Sequence, residues 1–272
     1  MSHSPLVTIM ARAARKAGSR LARDFGEVEN LQISRKGPAD FVTHADLKAE
    51  ATLREELTTA RPDFGFLMEE SGEVQGRDRT QRWIIDPLDG TTNFMHGIPQ
   101  FAISIALEQH GVIVAGLIYE PANGNLWHAE KGRGAFLNDR RLRVSARTQL
   151  IDAVLATGIP HHGRHGQEQF FSVLGHVTPK VAGIRRFGAA SLDLAYVAAG
   201  RCEGFWETGL APWDVAAGIL MVKEAGGFVT ELDGREHTLK SVGILASNDG
   251  LHATLTREIG GAAKRFQTAQ KG

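Results

Sequence analysis

The chain has a single cysteine, Cys202, among its 272 residues. No intramolecular disulfide can form, which favours a reducing compartment such as the cytoplasm. The formal net charge is zero, because 31 basic residues balance 31 acidic ones. The composition therefore lacks the excess of basic residues that is typical of proteins that bind nucleic acid or an anionic membrane surface. No apolar run approaches the roughly 20 residues of a membrane span, and no apolar segment near the N-terminus indicates a signal peptide.

Apolar residues make up 42% of the chain, enough to bury a full core as one large domain or two tightly packed halves. Ser4 and Pro5 predict the N-cap and first residue of a helix that Gly26 is placed to end, and a second helix is expected from Thr43. Further helices are expected at about 188–200 and 213–225. Strands are predicted at Phe64–Met68, Phe101–Leu107 and Val112–Tyr119. This irregular mixture predicts an α/β protein of layered sheets and helices.

The most informative segment runs from Trp83 to Phe94. Its three leading apolar residues predict a buried strand, and the following Asp-Pro-Leu-Asp-Gly-Thr-Thr is typical of a turn. Asp86 and Asp89 are thereby delivered to one end of a strand. Carboxylate oxygens ligate Mg²⁺, and the glycine lets the backbone approach an anion closely. We expect Thr91–Met95 to open a short helix whose free N–H groups point at the same place.

Acidic residues occur in three further settings of the same kind. Asp46 lies in the first turn of the second helix, Glu69 and Glu70 follow a predicted strand, and Asp214 lies at the start of a helix. Each alone also fits a helix N-terminus or a solvated strand end. If they converge, two carboxylates ~4 Å apart repel by roughly 4 kcal/mol at an effective dielectric near 20. Divalent cations would remove that cost, and the all-oxygen donor set favours Mg²⁺ or Mn²⁺ over Zn²⁺.

A phospho-aspartyl enzyme is the competing phosphatase hypothesis. Enzymes of the haloacid dehalogenase type carry Asp-x-Asp after a strand, and their first aspartate becomes phosphorylated. Here Pro87 and Leu88 both separate Asp86 from Asp89, so the second side chain is turned elsewhere. The sequence therefore argues against a phospho-aspartyl enzyme.

Five motifs, in one order along nearly the whole chain, resemble those of the inositol monophosphatase family, one of the lithium-sensitive, magnesium-dependent phosphatases. They are Asp40–Asp46, Glu69–Ser71, Asp86–Phe94, Gly188–Ser191, and Glu207 with Trp213-Asp214. The resemblance implies a layered α/β/α/β/α sandwich of the sugar-phosphatase type. It implies a single catalytic domain over residues 1–272, with packed halves at about 1–145 and 146–265. A cytoplasmic homodimer that is inhibited by lithium is also implied.

The resemblance implies two or three Mg²⁺ ions per subunit, each held by residues that match the family motifs. The first would be bound by Glu69, Asp86, the Leu88 carbonyl and Thr91. The second would be bound by Asp86, Asp89 and Asp214, and Glu69 would help to bind a weaker third. Thr91 and Asp46 would together position the attacking water, so neither a histidine base nor a covalent intermediate is required.

The same resemblance implies which residues contact the substrate. The Gly90 and Thr91 N–H groups would bind the phosphate. Glu207, seven residues before Asp214, would accept hydrogen bonds from vicinal hydroxyls of a polyol. The full set of substrate contacts is Gly90, Thr91, Gly188, Ala189, Ala190, Glu207 and Asp214. The small residues at 188–190 would leave room for a ring.

The predicted function is hydrolysis of inositol 1-phosphate and related polyol or sugar phosphates. Thr92–Phe94 resembles the inositol-phosphatase branch, whereas Lys36–Val42 resembles bacterial members that often accept several substrates. Alternative substrates are fructose 1,6-bisphosphate, NADP, histidinol phosphate and 3′-phosphoadenosine nucleotides. A second hypothesis is a regulatory protein that binds a partner of the transcription machinery, as reported for some bacterial relatives. The neutral net charge argues against that as the main role.

Four other features are weaker candidates. The segment His161–His165 is more typical of an exposed loop at the pocket rim than of a metal cluster. Arg185 and Arg186 fit a phosphate contact, a subunit contact or a solvated strand end equally well. Cys202 lacks an activating base in its pattern, and Lys36 precedes a Gly-Pro turn from which it could reach the mouth of the site.

Overall fold

The computed structural model describes residues 4–25, 33–37, 40–161 and 165–269, and for 33–37 and 40–43 it describes the backbone alone. Its helices are α1 (Pro5–Phe25), α2 (His44–Ala60), α3 (Thr91–Met95), α4 (Gln167–Val177), α5 (Ala190–Ala198), α6 (Pro212–Glu224), α7 (Asp249–Leu255) and α8 (Gly261–Ala269). Short 3₁₀ turns occur at Leu150–Asp152 and Thr178–Lys180, and a π-helical turn at Thr256–Gly260 joins α7 to α8. None of the helices in these ranges is long and apolar enough to cross a membrane.

The strands form two large sheets and a small hairpin. The hairpin pairs β1 (Ile33–Gly37) with β2 (Asp40–Thr43). The first large sheet contains β3 (Phe64–Met68), β4 (Gly72–Val74), β5 (Asp78–Asp89), β6 (Ala102–Gln109), β7 (Val112–Glu120), β8 (Asn125–Glu130), β9 (Gly134–Leu137) and β10 (Arg140–Arg141). Its spatial order is β10-β9-β8-β7-β6-β5-β3-β4. Only β3 and β5 run parallel in this sheet.

The second large sheet has five strands in the order β12-β11-β13-β15-β14. These are β11 (Val154–Thr157), β12 (Gly183–Arg185), β13 (Gly204–Thr208), β14 (Phe228–Thr230) and β15 (Gly243–Ser247). β11 is parallel to both of its neighbours, and the remaining pairs are antiparallel. The first sheet thus comes from residues before 145 and the second from residues after it. We propose that the two packed halves divide there.

Helices cover both faces of both sheets, which gives five layers in the described part of the chain. α1 and α2 pack on one face of the eight-stranded sheet, and α5 and α6 lie between the two sheets. α4, α7 and α8 cover the outer face of the five-stranded sheet. This order of layers confirms the predicted α/β/α/β/α sandwich.

The strand predicted at Phe101–Leu107 is confirmed as β6, and the side chains along it alternate between two apolar clusters. Phe101, Ile103, Ile105 and Leu107 pack into the cluster under α1 and α2. Ala102 and Ala106 face the opposite cluster under α5 and α6. Because successive side chains of a strand point to opposite faces, one strand joins two apolar layers.

Element boundaries differ from the sequence predictions by small amounts. Ser4 does cap α1, since its hydroxyl accepts a hydrogen bond from the Val7 N–H at 3.2 Å, whereas Gly26 lies outside the described residues. Thr43 ends β2, so the second helix begins one residue later than predicted, at His44. The helices expected at 188–200 and 213–225 run over Ala190–Ala198 and Pro212–Glu224.

Candidate active site

The Asp86–Asp89 motif lies within a strand, not in a turn after it. β5 continues to Asp89, and its pairing with β6 shifts register between Asp86 and Asp89, which lie opposite Ser104 and Ala102. Three steps along β5 therefore match two along β6, which is a β-bulge. Pro87 has no N–H to donate to the ladder, and a bulge is where a sheet tolerates proline. The predicted turn was wrong, but the bulge still brings both aspartates to the same cavity.

Glu69 is brought beside Asp86 by parallel pairing of β3 with β5. Met68 lies opposite Ile85, and the Glu69 N–H donates to the Ile85 carbonyl at 3.2 Å. The next residue on each strand is thus a carboxylate. After burial, the charge of Glu69 contributes most to raising the pKa of Asp86, because neighbouring carboxylates repel each other when both are ionised.

Asp214 reaches the same place from the second half of the chain. It is the third residue of α6, and its Oδ2 accepts a hydrogen bond from the Ala211 N–H at 2.7 Å. This is the common use of an acidic residue in the first turn of a helix. The Ser104 hydroxyl donates to the Trp213 carbonyl at 3.3 Å, which joins the start of α6 to β6 beside Asp86. Asp214 therefore caps the start of α6 and also lines the cavity.

Thr91 and Asp46 also meet, although they are far apart in sequence. Thr91 Oγ1 lies 3.2 Å from Asp46 Oδ1 and 3.0 Å from the Leu88 carbonyl oxygen. Asp46 is fully buried in the first turn of α2. Gly90, which precedes α3, has a φ of 91°, and a Cβ there would lie 2.8 Å from the Gln100 carbonyl oxygen. Only glycine fits this close approach.

The acidic side chains raise one another's pKa. Burial, and then the charges of Glu69, Asp89 and Asp214, raise the pKa of Asp86 well above its usual range. Burial and the neighbouring Asp89 do the same to the pKa of Asp214. Burial raises the pKa of Asp89 to about 6, although hydrogen bonds from Ser191 oppose the shift. Carboxylates withdrawn from water and placed together are stable as anions only beside compensating positive charge.

The donor atoms fit a hard divalent cation, although they are not arranged as a finished metal centre. In the described ranges no three acidic, histidine or cysteine side chains already form a metal-binding group. Three carboxylates instead accept protein hydrogen bonds: Asp86 from the Leu88 N–H at 2.9 Å, Asp89 from Ser191, whose N–H lies at 2.8 Å, and Asp214 from Ala211. Four carboxylates, a carbonyl and a hydroxyl make an all-oxygen set that suits Mg²⁺ or Mn²⁺ rather than Zn²⁺.

The four acids open onto a cavity of about 160 Å³. The lining also contains Gly188, Ala189 and Ala190, which lead into α5, together with Glu207 from β13. Every predicted metal or substrate residue lines this cavity: Glu69, Asp86, Leu88, Asp89, Gly90, Thr91, Gly188, Ala189, Ala190, Glu207 and Asp214. Asp46 lies behind Thr91. The side-chain amide of Asn93 links the segments that precede β6 and α5, because it donates to the carbonyls of Gln100 at 2.7 Å and Phe187 at 2.8 Å.

Sequence reasoning missed four residues that line the cavity and weighed two others without selecting them. Gly158, Ile159, Asp193 and Leu210 were missed, and His161 and Arg186 were considered only as a rim residue and an ambiguous cation. Asp193 is 1% exposed, and its Oδ1 has no hydrogen-bond partner among the described residues. Its position one helical turn after the Gly188–Ser191 motif was the available signal. His162–Arg164 and the side chain of Lys36 lie outside the described part of the chain.

Cys202 is buried, and burial raises the pKa of its thiol to about 12. It does not line the cavity. A thiol that remains protonated at neutral pH is a poor nucleophile, which agrees with the prediction that Cys202 has no catalytic role.

Comparison with known proteins agrees with the fold and the site. The model of the family described as "Inositol monophosphatase family" matches residues 2–264. An "Inositol-1-monophosphatase" of Mesorhizobium japonicum is 55% identical over 95% of this chain and 97% of its own. The "Nus factor SuhB" of Escherichia coli is 41% identical over 96% and 99%.

A solved structure extends the likeness to three dimensions. The "extragenic suppressor protein suhB" of Bartonella henselae superposes with a TM-score of 0.91 at 57% identity, over 94% of this chain and 98% of that one. Family match, sequence identity and fold all cover nearly the whole chain. The chain therefore belongs to the inositol monophosphatase family, which is a family of phosphatases.

Proposed function

We propose that this protein is a Mg²⁺-dependent phosphomonoesterase that hydrolyses inositol 1-phosphate and related polyol or sugar phosphates. One observation carries the proposal: four carboxylates from three separate parts of the chain line one small cavity, and burial together with neighbouring acidic charges raises the pKa of three of them, Asp86, Asp89 and Asp214. A fold does not gain stability from such a cluster. The cluster is instead suited to bind cations, which in turn would bind a phosphate ester.

The cation ligands in this proposal are the side chains that already line the metal end of the cavity. Glu69, Asp86, the Leu88 carbonyl and Thr91 would hold one Mg²⁺, and Asp86, Asp89 and Asp214 a second, with Glu69 helping to hold a weaker third. When bound, the cations lower the pKa of water and polarise the phosphoryl group. Asp86 would take part in holding both cations, and the charges of Glu69, Asp89 and Asp214 all act on its carboxylate.

Thr91 and Asp46 would orient the attacking water. A threonine hydroxyl has one proton and two lone pairs. When Thr91 donates its proton to Asp46 Oδ1 at 3.2 Å, a lone pair of Oγ1 remains to accept a proton of the water. This directs the water oxygen toward phosphorus. Asp46 is buried and anchored in α2, so the pair is held rigidly, and Gly90 and Thr91 would present N–H groups to the phosphate.

Polyol recognition would occur at the part of the cavity lined by Glu207 and by the small residues at 188–190. Glu207 accepts hydrogen bonds well from vicinal hydroxyls, and Ala189 and Ala190 leave space for a ring beside it. The relative in Mesorhizobium japonicum carries the name inositol-1-monophosphatase, which favours this substrate. Fructose 1,6-bisphosphate, NADP, histidinol phosphate and 3′-phosphoadenosine nucleotides are the alternatives to be compared with it. Lithium inhibition, a homodimeric state and a cytoplasmic location complete the proposal.

A second candidate function is binding to a partner in the transcription machinery. It is favoured by the name "Nus factor" of the Escherichia coli relative, which aligns over 96% of this chain. Such binding need not replace catalysis, because the cavity keeps an oxygen ligand at each predicted metal position. Partner capture by an Asp89→Asn variant would support an activity-independent role.

The test is phosphate release from inositol 1-phosphate, fructose 1,6-bisphosphate, NADP, adenosine 3′,5′-bisphosphate and histidinol phosphate. Each is assayed with Mg²⁺, with EDTA, and with Mg²⁺ plus Li⁺. We expect Mg²⁺-dependent, Li⁺-sensitive release that is fastest with inositol 1-phosphate. Absence of release from all five substrates would refute the phosphatase proposal.

An Asp89→Asn variant tests the ligand assignment in the same assay. Losing one anionic ligand should lower kcat by about 100-fold or more, while circular dichroism and the melting temperature show that the fold persists. The exposed Asp139→Asn is the matched control and should retain full turnover. Near-normal turnover in Asp89→Asn would refute the two-metal assignment.

A further inference from the structure

Gly158 and Glu207 are brought side by side by parallel strands. Gly158 directly follows β11, and β11 pairs with β13 so that Thr157 lies opposite Trp206. The Thr157 hydroxyl donates to the Trp206 carbonyl at 2.8 Å, which fixes the register at this end of the pair. The residues that follow Thr157 and Trp206 are Gly158 and Glu207, and both line the cavity.

The carboxylate of Glu207 occupies the space that a side chain at position 158 would need. A Cβ built on Gly158 would lie 1.9 Å from the Glu207 Cδ and 2.0 and 2.1 Å from its two oxygens. These are distances of covalent bonds or little more, so no adjustment of a few tenths of an ångström relieves the overlap. Gly158 does not have a positive φ. Its backbone would therefore accept alanine, and only the position of Glu207 demands glycine.

The charge of Glu207 is directed toward the cavity from this position. It contributes to raising the pKa of both Asp193 and Asp214, which also line the cavity. Because Glu207 lines the same cavity as these acids, its carboxylate can meet the hydroxyls next to the phosphate ester. If the carboxylate were displaced, those hydroxyls would lose their acceptor while the phosphate-binding residues stayed in place.

We propose that Gly158 is a positioning residue for substrate selection: by having no side chain, it lets the Glu207 carboxylate lie over its Cα and face the polyol. This inference rests on the proposed phosphomonoesterase function. It identifies position 158 as the place where a single methyl group would weaken the preference for polyol phosphates without affecting hydrolysis itself.

The first test compares Gly158→Ala with wild type on two substrates. Losing hydrogen bonds to substrate hydroxyls should raise KM for inositol 1-phosphate about tenfold. KM and kcat for p-nitrophenyl phosphate, which has no polyol, should stay unchanged. Gly175→Ala in α4 is the matched control, because a Cβ there meets no atom within 4 Å. An unchanged KM for inositol 1-phosphate in Gly158→Ala would overturn the inference.

A double-variant cycle separates positioning from a general structural effect. In a Glu207→Ala background the overlap no longer exists, so adding Gly158→Ala should change neither KM nor the melting temperature. If Gly158→Ala alone fails to fold, the double variant should fold again. Equal effects of Gly158→Ala in both backgrounds, or failure of both to fold, would show that Glu207 is not the group affected.

A crystal structure of Gly158→Ala distinguishes failure of this inference from failure of the proposed function. We expect the Glu207 carboxylate to move away from residue 158. A carboxylate that stays in place overturns the positioning role, whatever the activity. A displaced carboxylate in a protein that hydrolyses no phosphomonoester would instead refute the proposed function, and with it the role in substrate selection.

Discussion

Buried carboxylates occur in two kinds of surroundings in this molecule. Glu120, which is 2% exposed, accepts hydrogen bonds from Trp127 Nε1 at 2.6 Å, Asn123 Nδ2 at 2.8 Å and Asn125 Nδ2 at 3.2 Å. Glu203, equally buried, accepts from the Val154 N–H and from an arginine. Protein donors surround these groups, so their negative charge is stabilised within the fold.

Asp86 of the candidate site is buried to a similar degree, but its neighbours Glu69, Asp89 and Asp214, which are half-buried, are also acids. Asp86 is 2% exposed, and its nearest charged neighbours are Glu69, Asp89 and Asp214. Its one described donor is the Leu88 N–H, at 2.9 Å. A buried acid with several donors stabilises the fold, whereas a buried acid surrounded by acids is a site for a cation. Two substitutions and one pH series distinguish the two kinds of buried acid.

Asp86→Asn should have the largest effect on activity. The change removes the central carboxylate of the cluster, so we expect kcat to fall by about 1,000-fold. Because the same change removes repulsion from Glu69, Asp89 and Asp214, the metal-free protein should melt at the same temperature or higher. Steady-state kinetics and calorimetry in EDTA measure both quantities. A marked loss of stability would show that Asp86 belongs with the structural acids.

Glu120→Gln should do the reverse. One oxygen of Glu120 accepts from Trp127 and Asn125, and the other from Asn123. In glutamine an NH₂ group must replace one of these acceptors and face a donor. We expect the free energy of unfolding to fall by about 1–3 kcal/mol, with kcat unchanged. Urea denaturation and the phosphatase assay check this, and a stability equal to wild type would contradict it.

The smallest expected effect is a pH dependence of stabilisation by Mg²⁺. The raised pKa values of Asp86, Asp89 and Asp214 stabilise the metal-free fold below the unfolded pKa near 4. That contribution is lost as pH rises through the folded pKa, which is about 6 for Asp89. Mg²⁺ binds the deprotonated form, so its increase of the melting temperature should be small near about pH 4.5 and grow above about pH 6.

Calorimetry with Mg²⁺ and with EDTA across this range measures the increment directly. Burial lowers the pKa of His237 and His252, which weakens the fold as pH falls below about 6.5. That contribution occurs with and without Mg²⁺ and cancels in the difference. An increment that does not change with pH would contradict the assignment of these acids as cation ligands, and Asp86→Asn should show a flatter dependence than wild type.

The sequence predicted local features well where one element decides them. The pattern at Phe101–Leu107 indicated a strand, and β6 runs over Ala102–Gln109. Thr91–Met95 forms the short helix that was expected. Local composition failed at Asp86–Asp89, where proline and glycine indicated a turn. The neighbouring strand β6 keeps these residues in the sheet, and the extra residue is accommodated as a bulge.

Motif order by itself determined the family and selected the acids at 46, 69, 86, 89, 207 and 214, because these depend on residue types at short spacings. Only the tertiary structure decided which of them share a cavity and which neighbours they meet. Thr91 meets Asp46 from 45 residues away, and the Glu207 carboxylate lies against Gly158 from 49 residues away. Such contacts are set by strand register and by layer packing, which are properties of the whole fold. A short stretch of sequence cannot specify them.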